Sequence, residues 1–408
     1  MYTMYSVYSA FHFRLHPLKQ TLVVFSGSLI LLYLIASMVV AADTARASAP
    51  VPMTKTNWPM FGFSPQHSHF NPRETILSPR TVPGLVLNWS VNTPGYIDTT
   101  PAVVNGRVYV GSSSGTLYAF GTGTGKQLWT YTTKGGARIE SSPAVVGGIV
   151  YVGSEDDKFY ALNATTGKLL WSYTTQSLIA VSPVVANGVV YIGSFDGSLY
   201  ALNATTGKPL WSYSTSDQID SSPAVAHGVV YFATFHGGVY GVNVATGKLL
   251  WTATATFYIE SSPAVVSGVV YIGSDDDKLY AFNATTGKLL WTYTTGSYVD
   301  SSPAVAHGIV YVGSDDNKLY ALNATTGKLL WSYTTGGVIG FSSPSVANGV
   351  VYIGSNDNRL YALNATTGKL LWSYNTGMPL YGSSPVVVNG AVYCGAGNST
   401  GGVFAFHL

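Results

Sequence analysis

A unit of about 40 residues repeats through almost the whole of this 408-residue chain, and the repeat restricts its fold more than any other feature. A tryptophan recurs at the same place in the repeat, and each unit begins again with a Ser-Pro or Thr-Pro pair. A unit this short cannot bury its apolar faces alone, so successive units must stack on one another. The marker tryptophans are Trp89, Trp129, Trp171, Trp211, Trp251, Trp291, Trp331 and Trp372.

Every unit contains four short runs rich in Val, Tyr and Trp, and turn residues such as Gly, Asp and Asn separate the runs. The runs show no helix-period stripe, which indicates strands rather than helices. Four antiparallel strands per unit, repeated radially, are typical of propeller blades. We therefore predict an all-β, eight-bladed β-propeller of four-stranded antiparallel blades. In the unit at residues 301–335 the predicted strands are Ser302–Ala306, Ile309–Gly313, Lys318–Asn323 and Leu329–Thr334.

The two ends of the repeat region complement each other. The last unit starts at Ser384 and ends at Leu408 after its third strand, without a tryptophan of its own. A surplus strand, Leu85–Val91, precedes the first complete unit and carries Trp89. Pairing this strand with the last unit completes an eighth blade and removes an exposed sheet edge. The predicted domains are an N-terminal segment at 1–49, a lead-in at 50–80 and one propeller at 81–408.

The N-terminal segment has the order of a targeting sequence. Arg14 and Lys19 precede an uncharged stretch, Gln20–Ala42, which is rich in Leu, Val and Ile and is followed by small residues. This order is typical of a secretory signal peptide, although the apolar run is also close in length to a signal anchor. Both interpretations export the rest of the chain. We predict a secreted, periplasmic or cell-surface protein, and the choice between cleavage and anchoring stays open.

Charged residues are scarce, and this limits the partners. Lys, Arg, Asp and Glu make up only 9% of the chain, and the formal net charge is +2. Because no run of Lys or Arg is present, the sequence indicates no nucleic-acid partner, and membrane contact only through the N-terminal segment. The one cysteine, Cys394, excludes an intrachain disulfide and a cysteine-based metal cluster.

The turn between the third and fourth strands carries the most specific motif. Residues 161–171 have the sequence Ala-Leu-Asn-Ala-Thr-Thr-Gly-Lys-Leu-Leu-Trp, which recurs almost unchanged in four further units. The motif resembles the tryptophan-docking motif of the PQQ-like, or quinoprotein-dehydrogenase-like, propeller family, with Asn163 where the family usually has Asp. The resemblance implies that the tryptophans pack between neighbouring blades. It also implies that residues 57–61, Asn-Trp-Pro-Met-Phe, lead into the first blade.

The same family includes PQQ-dependent alcohol dehydrogenases, for which the resemblance would imply Ca²⁺, a catalytic Asp and a vicinal cysteine pair. This chain departs from that pattern because it has one cysteine and no long loops inserted between its strands. Its sequence also lacks a nucleophile elbow, a zinc-protease helix motif and a P-loop. The acidic turns at 155–157, 275–277 and 315–317 suit hairpins as well as Ca²⁺ loops, and we prefer hairpins. We predict a non-enzymatic protein without cofactor or metal, similar in role to the family's outer-membrane assembly lipoprotein.

The loops before each Ser-Pro pair are where the units differ, and a propeller would bring all eight loops to one mouth of its channel. Five of these loops carry an acid at the same place. We expect an acidic mouth that binds a protein or peptide partner through Lys or Arg side chains. Two alternatives stay open: a PQQ-dependent dehydrogenase, and a purely structural cell-surface protein whose mouth residues are only solvated. The candidate residues of the mouth are Asp98, Arg138, Glu140, Asp220, Tyr258, Glu260, Tyr298, Asp300 and Tyr381.

Overall fold

The computed structural model describes residues 56–408, and these residues form eight sheets arranged in a ring, all antiparallel except for the short parallel pair of Phe70–Asn71 with the inner strand of blade 7. The innermost strand of each sheet contacts the innermost strands of both neighbouring sheets, and this series of contacts closes on itself around a central channel. The prediction of an all-β, eight-bladed propeller is confirmed. The predicted N-terminal segment at 1–49 and residues 50–55 of the lead-in lie outside the described residues. Within 56–408 no helix is long and apolar enough to cross a bilayer.

Each blade has its strand 1 at the channel, and strands 2, 3 and 4 follow outwards. Two elements precede blade 1, namely β1 (Phe70–Asn71) and β2 (Val86–Pro94), with a 3₁₀ turn at Val82–Gly84 between them. Blade 1 contains β3 (Ala102–Val104), β4 (Arg107–Gly111), β5 (Thr116–Gly121) and β6 (Gln127–Thr132), and a second 3₁₀ turn follows at Lys134–Gly136. Blade 2 contains β7 (Ala144–Val146), β8 (Ile149–Gly153), β9 (Lys158–Asn163) and β10 (Leu169–Thr174). Blade 3 contains β11 (Val184–Ala186), β12 (Val189–Gly193), β13 (Ser198–Asn203) and β14 (Pro209–Ser214).

The remaining blades repeat this order. Blade 4 contains β15 (Ala224–Ala226), β16 (Val229–Ala233), β17 (Gly238–Asn243) and β18 (Leu249–Thr254). Blade 5 contains β19 (Ala264–Val266), β20 (Val269–Ser274), β21 (Lys278–Asn283) and β22 (Leu289–Thr294). Blade 6 contains β23 (Ala304–Ala306), β24 (Ile309–Ser314), β25 (Lys318–Asn323) and β26 (Leu329–Thr334). Blade 7 contains β27 (Ser345–Ala347), β28 (Val350–Ser355), β29 (Arg359–Asn364) and β30 (Leu370–Asn375), and blade 8 contains β31 (Val386–Val388), β32 (Ala391–Gly397) and β33 (Thr400–His407).

The local sequence explains these strands. Strand 2 is apolar on both faces because neighbouring blades cover both of its faces. β25 and β26 have the bounds predicted from the sequence, whereas β23 spans only Ala304–Ala306 and not Ser302–Ala306. The two preceding serines leave the strand ladder because their hydroxyl groups bind elsewhere. Ser301 Oγ accepts a hydrogen bond from the Gly313 N–H in strand 2, and Ser302 Oγ accepts one from the Ser262 N–H of the preceding blade.

The ring closes where the two ends of the propeller meet. β2 pairs antiparallel with β33, from Val86 opposite His407 to Pro94 opposite Thr400. It therefore supplies strand 4 of blade 8, and the predicted closure is confirmed. The observed strand runs three residues beyond the predicted end at Val91. Closure joins parts of the chain that are far apart in sequence, and it takes place entirely within the described residues.

The repeated tryptophans connect each blade to the next. Trp171 donates from Nε1 to the carbonyl oxygen of Ala204 in the following blade at 3.2 Å, and its ring lies against Gly207 in the same turn. A Cβ at Gly207 would lie 2.5 Å from this ring, and the φ of +69° also favours glycine. The other tryptophans make the same bond to the next turn. Trp372 completes the circle by donating to the Leu85 carbonyl at 3.0 Å.

Candidate functional site

A cavity of about 360 Å³ lies at the mouth of the central channel, at the end where strand 4 of each blade connects to the next inner strand. Residues from all eight of these connecting loops line the cavity. Asp98, Glu140, Asp220, Glu260 and Asp300 are among them, so the structure brings the five carboxylates of the predicted mouth together. We call this space the acidic cavity.

In the five connecting loops that carry an acid, the local sequence explains why the acid faces the cavity. One place before the acid stands an apolar residue that is fully buried against strand 2 of the preceding blade. Ile219, for example, packs so closely on Gly193 that a Cβ there would lie 2.4 Å from its methyl group. Side chains alternate in an extended segment, so the next residue, Asp220, points into the channel. Tyr258 precedes the buried residue of its own loop, and it stacks outside the cavity on Phe235 with ring centroids 4.4 Å apart.

The acidic cavity disfavours negative charge on its own carboxyl groups. Burial raises the pKa of Asp98 and that of Asp220 to about 7, and nearby glutamates add to both shifts. Burial and the charges of acids in neighbouring turns raise the pKa of Asp300 to about 8. The pKa values of the two glutamates also rise, again chiefly through burial. The three aspartates are therefore only partly ionised at neutral pH, and a bound cation would favour their ionised form.

Two acids that the sequence analysis assigned only to hairpin turns also belong to this site. Asp275 and Asp315 begin turns between strands 2 and 3, and their charges help to raise the pKa of Asp300. Asp300 is only 7% exposed, and its carboxyl group interacts with that of Asp275 through a hydrogen bond that requires a proton on one of the two. The Oδ1 atoms of Asp275, Asp300 and Asp315 are buried without an N–H or hydroxyl donor. Buried oxygens without a donor favour a ligand that brings N–H groups or positive charge. The predicted topology could have placed Asp275 and Asp315 near the mouth, because strand 2–3 turns and connecting loops share one end of an antiparallel blade.

A closed ring of hydroxyl groups surrounds the channel next to the acids. The Thr100 N–H donates to Ser142 Oγ at 2.9 Å, and the Ser142 N–H donates to Ser182 Oγ at 3.0 Å. The pattern continues from blade to blade until the Ser384 N–H donates to Thr100 Oγ1 at 3.3 Å. Five of these hydroxyl residues line the acidic cavity and offer polar groups to a ligand. The remaining members of the ring are Ser222, Ser262, Ser302 and Ser343.

Residues 58–71, which we call the plug, run along the inner strands of the channel. Their backbone carbonyls accept hydrogen bonds from equivalent valines of blades 1, 2 and 4 to 7. Pro59 O accepts from the Val145 N–H and Pro65 O accepts from the Val225 N–H, both at 2.6 Å. From the sequence this segment is recognisable only as a lead-in, and its contacts tie residues 58–71 to the inside of the ring.

The plug places an apolar, uncharged floor under the acidic cavity. Phe61 lines the cavity, and the rings of His67 and His69 pack edge-on against it with centroids 5.2 and 4.8 Å away. Both imidazoles are 1% exposed, and neither ring nitrogen of His69 has a hydrogen-bond partner. Burial lowers the pKa of each histidine to about 3, so both are neutral. The floor therefore provides no positive charge to balance the carboxylates above it.

The other predicted residues of the mouth divide between wall and rim. Tyr381 lines the cavity, where burial and the nearby carboxylates raise its pKa to about 12. Arg138 is 53% exposed on the rim, and its Nη1 lies 3.7 Å from Glu140 Oε1. Tyr298 is 48% exposed and stands outside the cavity lining, as Tyr258 does. The aromatic walls are instead formed by Tyr381, Phe195 and Phe341.

The middle acids of the acidic turns have structural partners. Asp156 accepts a hydrogen bond from the Tyr160 hydroxyl, and Asp316 accepts one from the Tyr320 hydroxyl. Asp316 also accepts a hydrogen bond from the Gly296 N–H of the preceding connecting loop at 3.0 Å. These bonds join strand 3 to its turn and to the neighbouring blade. In the part of the chain that the structure describes, no three His, Cys, Asp or Glu side chains are grouped so that they could hold a metal ion.

The quinone of the enzymatic members does not fit the residues of this cavity. PQQ carries three carboxylate groups, whereas the described residues that line the cavity include five acids and no Lys or Arg. The single cysteine, Cys394, is buried in strand 2 of blade 8 and cannot contribute to a vicinal pair. The acidic groups of the cavity thus disfavour binding of PQQ, the cofactor of the dehydrogenases with this fold.

A known protein family matches the repeat region of this chain. The family model described as outer membrane protein assembly factor BamB matches residues 86–182, 115–258 and 258–407. No curated protein matches the sequence significantly.

Solved structures of BamB, of a dehydrogenase and of a designed protein share the fold. BamB from Moraxella catarrhalis has a TM-score of 0.68 at 21% identity, covering 79% of this chain and 100% of that chain. A quinohaemoprotein alcohol dehydrogenase from Pseudomonas putida has a TM-score of 0.75 at 17% identity, covering 91% and 82%. The computationally designed Ika8 protein has a TM-score of 0.69 at 21% identity, covering 78% and 98%. At these identities the likeness shows a common fold and leaves the activity to be argued from the site.

Proposed function

The chain belongs to the family of PQQ-like repeat propellers described by assembly factor BamB, and from this membership we propose that it is an exported, non-catalytic binding protein. Its proposed binding site is the acidic cavity, and its proposed ligand is a Lys- or Arg-bearing segment of a protein partner. Export is supported by the charge and apolar order of the N-terminal segment at 1–49. The non-catalytic role is supported by the poor match between the cavity and PQQ.

The charge of the acidic cavity is the observation that carries this proposal. Five carboxylates from five connecting loops converge on one space, and no Lys or Arg is found among the described residues of its lining. Like charges in a poorly hydrated site repel one another, and a cation relieves this repulsion. The rings of Phe195, Phe341 and Tyr381 provide faces against which an ammonium or guanidinium group can pack. Acid and aromatic groups together therefore favour a cationic side chain.

The size of the cavity limits the ligand to a small part of a partner. A space of about 360 Å³ is at the lower end of ligand pockets and accommodates one or two side chains. The hydroxyl ring adds polar groups that can bind the backbone of an inserted segment. The partner would therefore present a protruding loop or a chain terminus, and not a flat surface.

Titration with a short lysine-rich peptide tests the proposed site. The parent protein is compared by calorimetry with the triple variant Asp220→Asn, Glu260→Gln, Asp300→Asn. We expect the parent to bind, and the variant to bind at least about tenfold more weakly, because it lacks three buried carboxyl groups that ionise when a cation binds. Added salt should weaken binding by the parent.

A double variant, Asp157→Asn, Asp277→Asn, provides the control. It removes two charges at the same end of the ring but outside the cavity lining. Asn already occupies the position of Asp157 in two other blades, so the substitution suits the turn. The control should bind like the parent. Equal binding by all three proteins, or by none, would contradict the proposed site.

The dehydrogenases that share the fold define the competing function. Purified protein is incubated with PQQ and Ca²⁺ and assayed for dye-linked alcohol oxidation. We expect no turnover, because the acidic cavity repels a tricarboxylate. Turnover above that of a protein-free mixture would refute the non-catalytic role.

A further inference from the structure

The two ends of the propeller carry opposite charges. Every Asp and Glu of residues 56–408 except Glu74 lies in a connecting loop or a strand 2–3 turn. The opposite end, which we call the basic end, consists of the strand 1–2 and strand 3–4 turns. A lysine closes each complete strand 3–4 turn there, from Lys126 in blade 1 to Lys369 in blade 7, and Arg107 lies at the same end. The net charge of +2 therefore conceals two strongly charged faces.

The basic end also carries most of the exposed apolar surface. Two leucines follow the closing lysine in most blades, at the start of strand 4, and Leu169 and Leu170 are 40% and 48% exposed. Of the large hydrophobic side chains that are exposed in residues 56–408, all but Phe257, Tyr298 and Phe341 belong to this end. Isolated exposed leucines are common on protein surfaces, whereas an apolar band repeated in blade after blade indicates a docking surface.

We propose that the basic end docks on a bilayer surface that contains anionic phospholipid, with the acidic cavity facing away from the bilayer. The lysines bind the lipid phosphates, and the leucines beside them enter the boundary between headgroups and acyl chains. Basic side chains next to exposed apolar ones are the combination that interfacial membrane binding uses. From the sequence alone we expected membrane contact only through the N-terminal segment, because the scattered lysines form no run along the chain.

The apolar band distinguishes a bilayer from a second copy of this chain. The acidic end of another molecule would neutralise the lysines, since the two ends have opposite charges. It would leave the leucines uncovered, because the acidic end exposes few large apolar side chains. A bilayer surface satisfies both features at once.

Quenching of tryptophan fluorescence by brominated phospholipids tests the proposal. The strand 4 tryptophans are suitable reporters because each directly follows the exposed leucine position, as Trp171 follows Leu170. The full chain is mixed with vesicles of phosphatidylcholine alone or with phosphatidylglycerol added. The same measurement on residues 56–408, in which the ring is already closed, separates the contribution of residues 1–55. We expect quenching of residues 56–408 only by the anionic vesicles, and less quenching as salt is raised.

Charge reversal at the two ends provides the variant and its control. Lys208→Glu, Lys248→Glu, Lys288→Glu at the basic end should lower the affinity for anionic vesicles at least about tenfold, since each lysine near such a surface adds attraction. Lys134→Glu, Lys158→Glu, Lys318→Glu changes the net charge equally at the acidic end and should leave binding unchanged. Equal quenching of parent and basic-end variant, or no quenching of the parent, would overturn the proposal. The proposal would also be overturned if the parent assembled at low salt without vesicles and the basic-end variant did not. That result would mean that the basic end binds a second copy of the chain.

Discussion

Asp300 shows how one side chain concentrates unfavourable electrostatics at the mouth of the channel. It is 7% exposed, its Oδ1 lacks an N–H or hydroxyl donor, and burial raises its pKa to about 8. Asp98 and Asp220, at equivalent places in other loops, have pKa values of about 7. The folded protein therefore holds protons that the unfolded chain, with aspartate pKa values near 3.8, would release.

This difference predicts a dependence of stability on pH. Folding raises these pKa values, so the protonated aspartates contribute to the free energy of unfolding. This contribution is fully present below about pH 4 and is lost as the pH rises to about 8. Urea unfolding at pH 5 and pH 8 should show a lower free energy of unfolding at the higher pH. Asp300→Asn should reduce this decline and stabilise the protein at pH 8 by about 2 kcal/mol. Asp277→Asn, outside the cavity, should keep the parental decline, and a parental decline in Asp300→Asn would contradict the electrostatic assignment.

At the scale of elements, each blade is attached to the next through one strand 4 and one turn. Trp251 in β18 is 8% exposed, and its Nε1 donates to the Ala284 carbonyl at 2.9 Å. Its ring also packs against Gly287 in the strand 3–4 turn of blade 5, where a Cβ would lie 2.6 Å from the ring. The indole thus joins blade 4 to blade 5 through both packing and a hydrogen bond.

Substitution of Trp251 should separate these two contributions. Trp251→Ala should lower the free energy of unfolding by about 3–5 kcal/mol, the usual cost of deleting a buried large aromatic ring. Trp251→Phe keeps most of the packing and loses the Nε1 bond, so it should cost about 1 kcal/mol. Denaturant unfolding measures both values. Unchanged midpoints for Trp251→Ala would show that the indole does not hold the blades together.

The elements also show what the sequence could predict. β25 and β26 were predicted to the residue because turn residues bound each run and every unit repeats them. The convergence of acids at the mouth followed from radial symmetry alone. The plug could not be predicted, since it occurs once and Pro59 and Pro65 bind through backbone carbonyls that no side-chain pattern reveals. The outward direction of Tyr258 depends on which residue of its loop is buried, and that became visible only in the structure.

At the scale of the whole molecule, the antiparallel pair of β2 and β33 converts a linear array of blades into a ring. Val91 lies opposite Val403 in this pair, two places after Trp89. Tyr173 holds the equivalent place in β10, whose blade is continuous in sequence. The two positions therefore allow the closing strand to be compared with an ordinary outer strand.

Proline at these two places should have unequal effects. Val91→Pro removes a ladder bond in the closing strand, costs about 3 kcal/mol or more, and opens the ring so that blade edges are exposed. Tyr173→Pro should fray only the outer strand of blade 2. Thermal unfolding and size-exclusion chromatography should show a lower midpoint and more oligomers for Val91→Pro. Equal midpoints and equal elution profiles would mean that closure contributes no more than any other outer strand.

The ring of hydroxyl groups limits how the number of repeat units in such a chain can change. Units this alike have coding segments that can align out of register, and recombination between them deletes or duplicates one unit at a time. A progeny chain with one unit more or fewer would have to close the circle at another radius, and the last N–H, that of Ser384, would no longer meet Thr100 Oγ1. A gain or loss of one unit is thus tested when the chain folds, because the hydroxyl ring around the channel closes only with the right number of units.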